Sequence, residues 1–405
     1  MYIERLAEDD FVKLNKIFPV VLVTGPRQVG KTTMLKHLSE GENRTYVTLD
    51  DLNARELAIN DPKLFFQTFK PPILIDEVQY APNLFSQIKI MVDERKIAGE
   101  FWLTGSQSYN IMKNVSESLA GRIGIMNMYS LTHQELLKDS HVIPTDFSFE
   151  NLAKSMCKTL EIREVFNYIF NGGMPRLNEI GFENRSEYFN SYINSYLMRD
   201  VMELGKISDT VKFNRFLTAC ASMVGNVLNY ATLANTADIS QPTAKEWLNL
   251  LIGLGIVYLV QPYYNNNLKR LTKSPKLYFY DTGLCAYLTK IPTSESLQAS
   301  AFAGAFFENY VMNQFKIKYQ LLPNGPNIYF YRDVDQNEVD IILETYNGLI
   351  PLEIKLSANP NKRDKEKFEI LKKLNKPILP GGIICLIDKL YKIDENNSLI
   401  PVGLV

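Results

Sequence analysis

Short, unbroken aliphatic runs alternate with longer stretches of helical spacing in the first third of the chain. The runs are PVVLVT at 19–24, TYVTLD at 45–50, PILIDE at 72–77 and EFWLTGS at 100–106. A strand covered on both faces needs no polar alternation, so these runs predict a parallel sheet flanked by helices. Helical stretches are expected at 32–37, around Arg55 and Glu56, and at 87–96. From 150 to 206 the pattern is helical, broken at Asn171, Gly172, Gly173, Met174 and Pro175. Tyr188, Tyr192 and Tyr196 recur every four residues there and so share one helix face, a core stripe rather than a base-stacking platform.

Residues 213–264 read as helix, turn, helix and strand, the order of a winged helix. The second helix, 243–254, takes Ser240 as its N-cap and Pro242 in its first turn. Its wing would be 265–276, carrying Lys269, Arg270, Lys273 and Lys276 as a basic tip that meets phosphates. The helix itself bears Lys245, Glu246, Trp247 and Asn249, no basic reader, and winged helices also serve as protein-binding modules. Further on come a helix over 302–314, strands over 328–332 and 338–344, a turn at Asn347 and Gly348, and a strand over 349–355. The lysine-dense stretch 362–376 is expected to be a solvated helix.

Chemistry enters where the first strand meets the first helix. Residues 25–33 are Gly25, Pro26, Arg27, Gln28, Val29, Gly30, Lys31, Thr32 and Thr33, a G-x-x-x-x-G-K-[ST] loop in its strand–loop–helix setting. Gly25 and Gly30 let the backbone turn tightly and approach an anion. Loop N–H groups and the orphan donors of the helix start would cradle phosphate oxygens. Lys31 would reach the β- and γ-phosphates, and the Thr32 hydroxyl would ligate Mg²⁺. The 72–77 run ends in two acids: Asp76 would hold the Mg²⁺ through water and Glu77 would orient the attacking water. Thr104, Gly105 and Ser106 end the next run, and Thr104 reads either as a γ-phosphate sensor or as a plain strand-end turn. Arg122 reads either as an arginine finger acting in trans or as a solvated surface residue.

Composition narrows the rest. A chain of 405 residues suggests roughly two to four domains. A net charge of −1 argues against a general nucleic-acid binder, so any basic surface must be local. Cys157, Cys220, Cys285 and Cys385 are far apart and are expected to be buried free thiols. His37, His133 and His141 are too scattered for a histidine metal site. The first residues lack the apolar core of a signal peptide, and the longest apolar run, 247–260, is too short to span a bilayer. No membrane partner and a cytoplasmic location are therefore expected.

The order GPRQVGKTT, ILIDEVQ, FWLTGSQS and LAGR resembles the bacterial and archaeal AAA-type ATPases that carry a C-terminal domain of unknown function, and the resemblance covers essentially the whole chain. It implies an α/β multidomain protein that binds ATP and Mg²⁺. The parts are an additional-strand αβα P-loop core over 1–149, a helical lid over 150–206, a winged helix over 207–294 and a restriction-endonuclease-like α/β domain over 295–405. No Asn-Lys-x-Asp guanine-reading motif is evident.

In that last part, Glu353 and Lys355 lie two apart on one strand face, with Asp340 on the preceding strand. Asp340, Glu353 and Lys355, with Glu308 upstream, resemble the restriction-endonuclease superfamily. That resemblance implies a second Mg²⁺ held by Asp340 and Glu353; Val339 departs from the proline of the pattern. The alternative is an ordinary amphipathic hairpin. Three functions follow: an ATPase whose nucleotide state controls the later modules, possible acts of those modules on DNA included; an ATP-regulated DNA endonuclease; and a non-catalytic ATP-dependent switch for a protein partner.

Overall fold

The computed structural model describes residues 2–106, 118–139, 142–155, 158–203, 207, 209–265, 270, 273–322 and 324–405. Gln107 and Ser108 of the sensor stretch, His141, Cys157, Lys206 and Lys269 lie outside these residues. The chain forms two compact units, one of Met1–Leu131, Met174–Arg176 and Leu250–Ile256, the other of Thr132–Gly173, Leu177–Asn249 and Val257–Val405. The fold is α/β and multidomain, as expected. Among the described residues no helix is long and apolar enough to cross a membrane.

The first unit is built on β1 (Val20–Gly25), β2 (Thr45–Thr48), β3 (Ile73–Asp76), β4 (Phe101–Ser106) and β5 (Ile123–Asn127). The pairings are all parallel, in the order β2-β3-β4-β1-β5. Every residue of β1, β3 and β4 is buried, which is why those segments read as continuous aliphatic runs. The helix Asn83–Arg95 turns Leu84, Phe85, Ile88 and Val92 into the core beside Leu22, Ile75 and Leu103. Polar caps set the local boundaries. Asp51 accepts from the Ala54 N–H at 2.8 Å, and Asp61 accepts from the Leu64 N–H at 2.9 Å, with Pro62 in the first turn. Because β4 lies between β1 and β3, its carboxyl end stands between the end of the glycine loop's strand and the end of the acidic strand.

The second unit contains the helices Thr210–Ser222, Tyr230–Ala237 and most of Gln241–Gly253, followed by an antiparallel ribbon of β6 (Val257–Val260) and β7 (Lys276–Phe279). Ser240 caps the third helix, its Oγ accepting from the Thr243 N–H at 3.2 Å. Trp247 faces inward, edge-on to Phe213 and Phe216 with centroids 5.4 and 5.6 Å away. Tyr188 and Tyr192 are buried and stacked, so the tyrosine stripe is core; a π turn at Tyr192–Leu197 interrupts its helix.

A mixed sheet follows, β12-β13-β11-β10-β9-β8. It consists of β8 (Asn327–Arg332), β9 (Glu338–Glu344), β10 (Leu349–Lys355), β11 (Gly381–Cys385), β12 (Tyr391–Lys392) and β13 (Asn397–Pro401). The hairpin of β9 and β10 is in register Leu349↔Glu344 to Leu352↔Ile341. Residues Lys362–Leu374 form a 3₁₀ helix with Phe368, Leu371 and Leu374 buried. This corrects the expectation of a merely solvated helix, since its apolar face covers the sheet.

The wing departs from its expected role. Arg270 is buried: its guanidinium donates to both Glu344 oxygens at 3.0 and 3.2 Å and lies over the Tyr263 and Tyr329 rings. Lys276 is buried on β7 and paired with Glu308 and Glu338. Neither forms a phosphate-facing tip, because β7 packs on the helix Ala303–Tyr319 instead of standing free. Asn309 of that helix accepts from the Phe279 N–H at 2.8 Å and donates to the Phe279 carbonyl at 2.9 Å. Asn313 donates to the carbonyls of Phe279 and Tyr280 at 3.0 and 2.9 Å. Of the expected wing cations that are described, only Lys273 is exposed.

Two outcomes follow from this packing. Asn309→Ala leaves the buried Phe279 N–H without its side-chain acceptor and lowers stability by about 2 kcal/mol, read as a fall in urea midpoint at constant m-value. Burial raises the Glu344 carboxyl, but the bonds and charges of Arg270 and Lys376 prevail and hold it at about 2. Its folded value is thus below its unfolded one, so its stabilisation is present above the ordinary glutamate range and is lost as pH falls toward 2. The gap in urea midpoint between the parent and Glu344→Gln therefore narrows as pH is lowered from neutral toward that value.

Candidate functional site

At the end of β1 the backbone passes so close to its neighbour that a Cβ on Gly25 (φ +143°) would collide with the Met128 carbonyl oxygen. Only glycine fits there. Gln28 and Gly30 are left-handed, with φ +61° and +93°, and turn the loop back onto the helix Lys31–Leu38. No side chain caps that helix at Gly30, which leaves its first-turn N–H groups facing the loop. Pro26 and Val29 are buried, Arg27 and Gln28 half-buried, and Thr33 is exposed. Lys31 is only 7% exposed. Its ammonium donates to the carbonyls of Gly25 at 3.0 Å and Pro26 at 2.6 Å, lying along the loop it belongs to.

The acidic strand meets this loop. The Thr32 hydroxyl donates to Asp76 Oδ1 at 2.6 Å, and Thr104 donates to the same oxygen. The Tyr46 hydroxyl donates to Asp76 Oδ2 at 3.3 Å. Burial and the Asp76 charge push the Tyr46 phenol up to about 12, so it remains a donor at neutral pH. Glu77 is left-handed, φ +57°, an uncommon conformation for a non-glycine residue. Its N–H donates to Thr104 Oγ1 at 3.2 Å, and its Oε2 accepts from the Gln79 amide. Thr104 therefore fixes both acids at once. Lys31, Thr32, Asp76, Glu77 and Thr104 are brought together at the carboxyl ends of β1, β3 and β4.

Three further residues join this site without having been singled out: Tyr46, Gln79 and Arg5. Arg5 is buried, and its guanidinium donates to the carbonyls of Val29 at 2.7 Å and Tyr129 at 2.8 Å, tying the loop to the residues after β5. Arg122 lies apart. It is clasped by Asp93 in a two-pronged pair, at 2.6 and 3.0 Å. A nucleotide with its cation fits this chain's residues, as the cradle at Gly25, the uncapped helix start and the hydroxyl–carboxylate pair of Thr32 and Asp76 all show. Lys31 and the loop N–H groups would hold the phosphates, and Thr32 with Asp76 the cation, which supplies charge neutralisation when bound.

A second polar cluster sits in the other unit. Glu353 on β10 is fully buried; its Oε1 accepts from Lys355 at 2.7 Å and from Lys367, while no group among the described residues meets its Oε2. Asp340 on β9 accepts the Ile354 N–H at 2.8 Å. Glu308 accepts from Tyr278 at 2.6 Å and from Lys276 at 2.8 Å, and Lys276 also pairs with Glu338 at 2.6 Å. Burial raises both the Glu308 and the Glu353 carboxyl, and the Asp340 charge adds to each.

The hairpin thus brings Asp340, Glu353 and Lys355 together, and the Asp340 charge acts on Glu308. Among the described residues, however, no three acids, histidines or cysteines stand as metal ligands. Asp340 Oδ2 meets a backbone N–H and Glu353 Oε1 meets two lysines.

The remaining titratable candidates are structural. Cys220, Cys285 and Cys385 are free and buried. His133 stacks on Tyr168 and bonds the Tyr310 hydroxyl at 2.9 Å; burial first, then Lys158 and Lys318, push it down to about 4.

Three family models match separate stretches of the chain. Residues 18–137 match the AAA domain family, 162–295 a domain of unknown function (DUF8612) and 303–405 a domain of unknown function (DUF4143). The uncharacterized protein Rv2008c of Mycobacterium tuberculosis is 30% identical over 366 residues, covering 89% of this chain and 76% of that protein. The uncharacterized protein MJ1637 of Methanocaldococcus jannaschii is 25% identical over 293 residues, 64% of this chain and 60% of that protein. Among solved structures, the Walker-type ATPase PABY2304 of Pyrococcus abyssi aligns at TM-score 0.43 and 15% identity over 71% of this chain and 96% of its own. The RuvB Holliday junction branch migration motor of Thermotoga maritima aligns at TM-score 0.30 and 17% identity over 63% and 89%. With β4 inserted between the loop strand and the acidic strand, and with relatives of this extent, the chain belongs to the AAA-type P-loop ATPases that carry a C-terminal DUF4143 domain.

Proposed function

We propose that the protein binds ATP with Mg²⁺ at the β1 loop and hydrolyses it, and that nucleotide state controls the later modules. The observation that carries this reading is the meeting of Thr32 and Asp76 at 2.6 Å beside the buried Lys31, with Glu77 next along the acidic strand. In this reading Lys31 exchanges the carbonyls of Gly25 and Pro26 for phosphate oxygens. Thr32 and Asp76 would hold the cation, which would neutralise charge on the phosphates. Glu77, released from Gln79, takes the attacking water, while Thr104 keeps both acids in place. An Arg122 finger acting in trans would first have to leave Asp93.

The modules are proposed as a helical lid at 150–206, a winged helix at 207–294 and a restriction-endonuclease-like domain at 295–405. The helix and ribbon order of 210–279 and the hairpin of β9 and β10 support them. DNA contact by the winged helix would draw on Lys245 and Lys273, both exposed, since Arg270 and Lys276 are engaged internally. In the endonuclease reading, Asp340 and Glu353 would hold a cation beside Lys355, and Glu353 would first have to give up Lys367. Release of phosphate measured with and without DNA separates a DNA-stimulated ATPase from one that answers to a protein partner.

Lys31→Ala abolishes ATP binding, measured by fluorescent-nucleotide titration; hydrolysis at the parental rate by this variant would overturn the assignment. Glu77→Gln retains ATP binding and loses turnover by about 10²–10⁴-fold in a phosphate-release assay, the range for a positioned base.

A further inference from the structure

We propose that Lys276 is the resident cation of the C-terminal carboxylate cluster and keeps divalent cations out of it, so that this domain works without a metal. This goes beyond the ATPase reading and does not depend on it.

The contacts make the case. The Lys276 side chain is 3% exposed, and its ammonium touches Glu308 Oε1 at 2.8 Å and Glu338 Oε1 at 2.6 Å. A buried charge is tolerated only when paired and hydrogen-bonded. Burial disfavours this ammonium, yet Glu308, Asp340 and Glu338 together raise it above the ordinary lysine range, so it is charged at any physiological pH. The other acid of the cluster, Glu353, is bound through Oε1 by Lys355 and Lys367. Asp340 Oδ2 is taken by the Ile354 N–H, and Tyr278 also occupies the Glu308 oxygen. Magnesium demands near-ideal octahedral oxygen coordination, and calcium takes about six to eight oxygens. In this cluster Glu308 Oε1, Glu338 Oε1 and Glu353 Oε1 are instead each engaged by ammonium groups.

Position separates this from a chance surface pairing. Lys276 is fixed by its strand, in register Val260↔Lys276 in the ribbon and bridged to Val227. The same strand is bound at Phe279 by Asn309, one residue beyond Glu308 on the same helix. The helix that supplies the acid thus also aligns the strand that supplies the cation. Glu353 Oε2 is fully buried with no partner among the described residues, and the Asp340 charge acts on its carboxyl. That unmet acceptor marks the cluster as a latent cation site, which removal of the ammonium would open.

The test uses the nucleotide-free full chain, with Asp76→Asn in every arm so that the nucleotide site contributes no metal, and Mn²⁺ as the probe in calorimetry and electron paramagnetic resonance. With Lys276 present, no saturable Mn²⁺ site is expected up to about 1 mM. Adding Lys276→Met is expected to create one site at least about ten-fold tighter, and adding Asp340→Asn should abolish it. Lys276→Met with Glu338→Gln preserves net charge and serves as the second variant if the first does not fold. One Mn²⁺ bound with Lys276 in place and lost on Asp340→Asn would overturn the proposal. A folded Lys276→Met chain with no gain in Mn²⁺ binding would overturn it equally.

Discussion

A buried ammonium is costly unless it finds oxygen, and Lys31 and Lys276 are both placed by that requirement. Lys31 meets it with the carbonyls of its own loop, Lys276 with carboxylates from a helix and a strand. The two solutions differ in what can replace them. Carbonyl oxygens carry partial charge, so a phosphate can displace them, with hydrogen bonds to charged groups contributing about 1.5–3 kcal/mol each. Carboxylates are full opposite charges, and displacing Lys276 would strand an ion in the interior. In the proposed reading the first arrangement serves exchange and the second permanence.

The sheet of the ATPase unit was legible because its strands are covered on both faces and therefore read as unbroken aliphatic runs. The phosphate loop was legible because its glycines and lysine are close in sequence and their spacing is set by local geometry. The hydroxyl shell around Asp76 was not. Tyr46 and Thr104 come from strands on either side of β3, and no local periodicity announces such a meeting. Arg5 stands 24 positions from the loop carbonyl it holds, and its part in the site is purely tertiary.

The wing shows the opposite failure, in which sequence suggested more than the fold delivers. Arg270 and Lys276 near a turn read as solvent-facing cations, and burial was not visible in their types. The neighbours of Lys276 carried a signal, though: Leu277, Tyr278 and Phe279 make a segment too apolar to stand free as a tip. In the carboxylate cluster, by contrast, the hairpin register gave the positions of Asp340, Glu353 and Lys355 correctly. What it left open was the source of the opposing charge, because Lys276 and Lys367 arrive from other elements.

The clamp formed by Arg5 has a practical meaning for anyone trimming the chain. The residues ahead of the sheet act as a strut: Tyr2 and the Arg5 N–H both bond to Glu8, and Arg5 reaches the loop from that brace. A boundary drawn at the first strand would look harmless on a sequence map, yet it would cut the mooring of the phosphate loop and slacken the nucleotide pocket from a distance of twenty-odd positions.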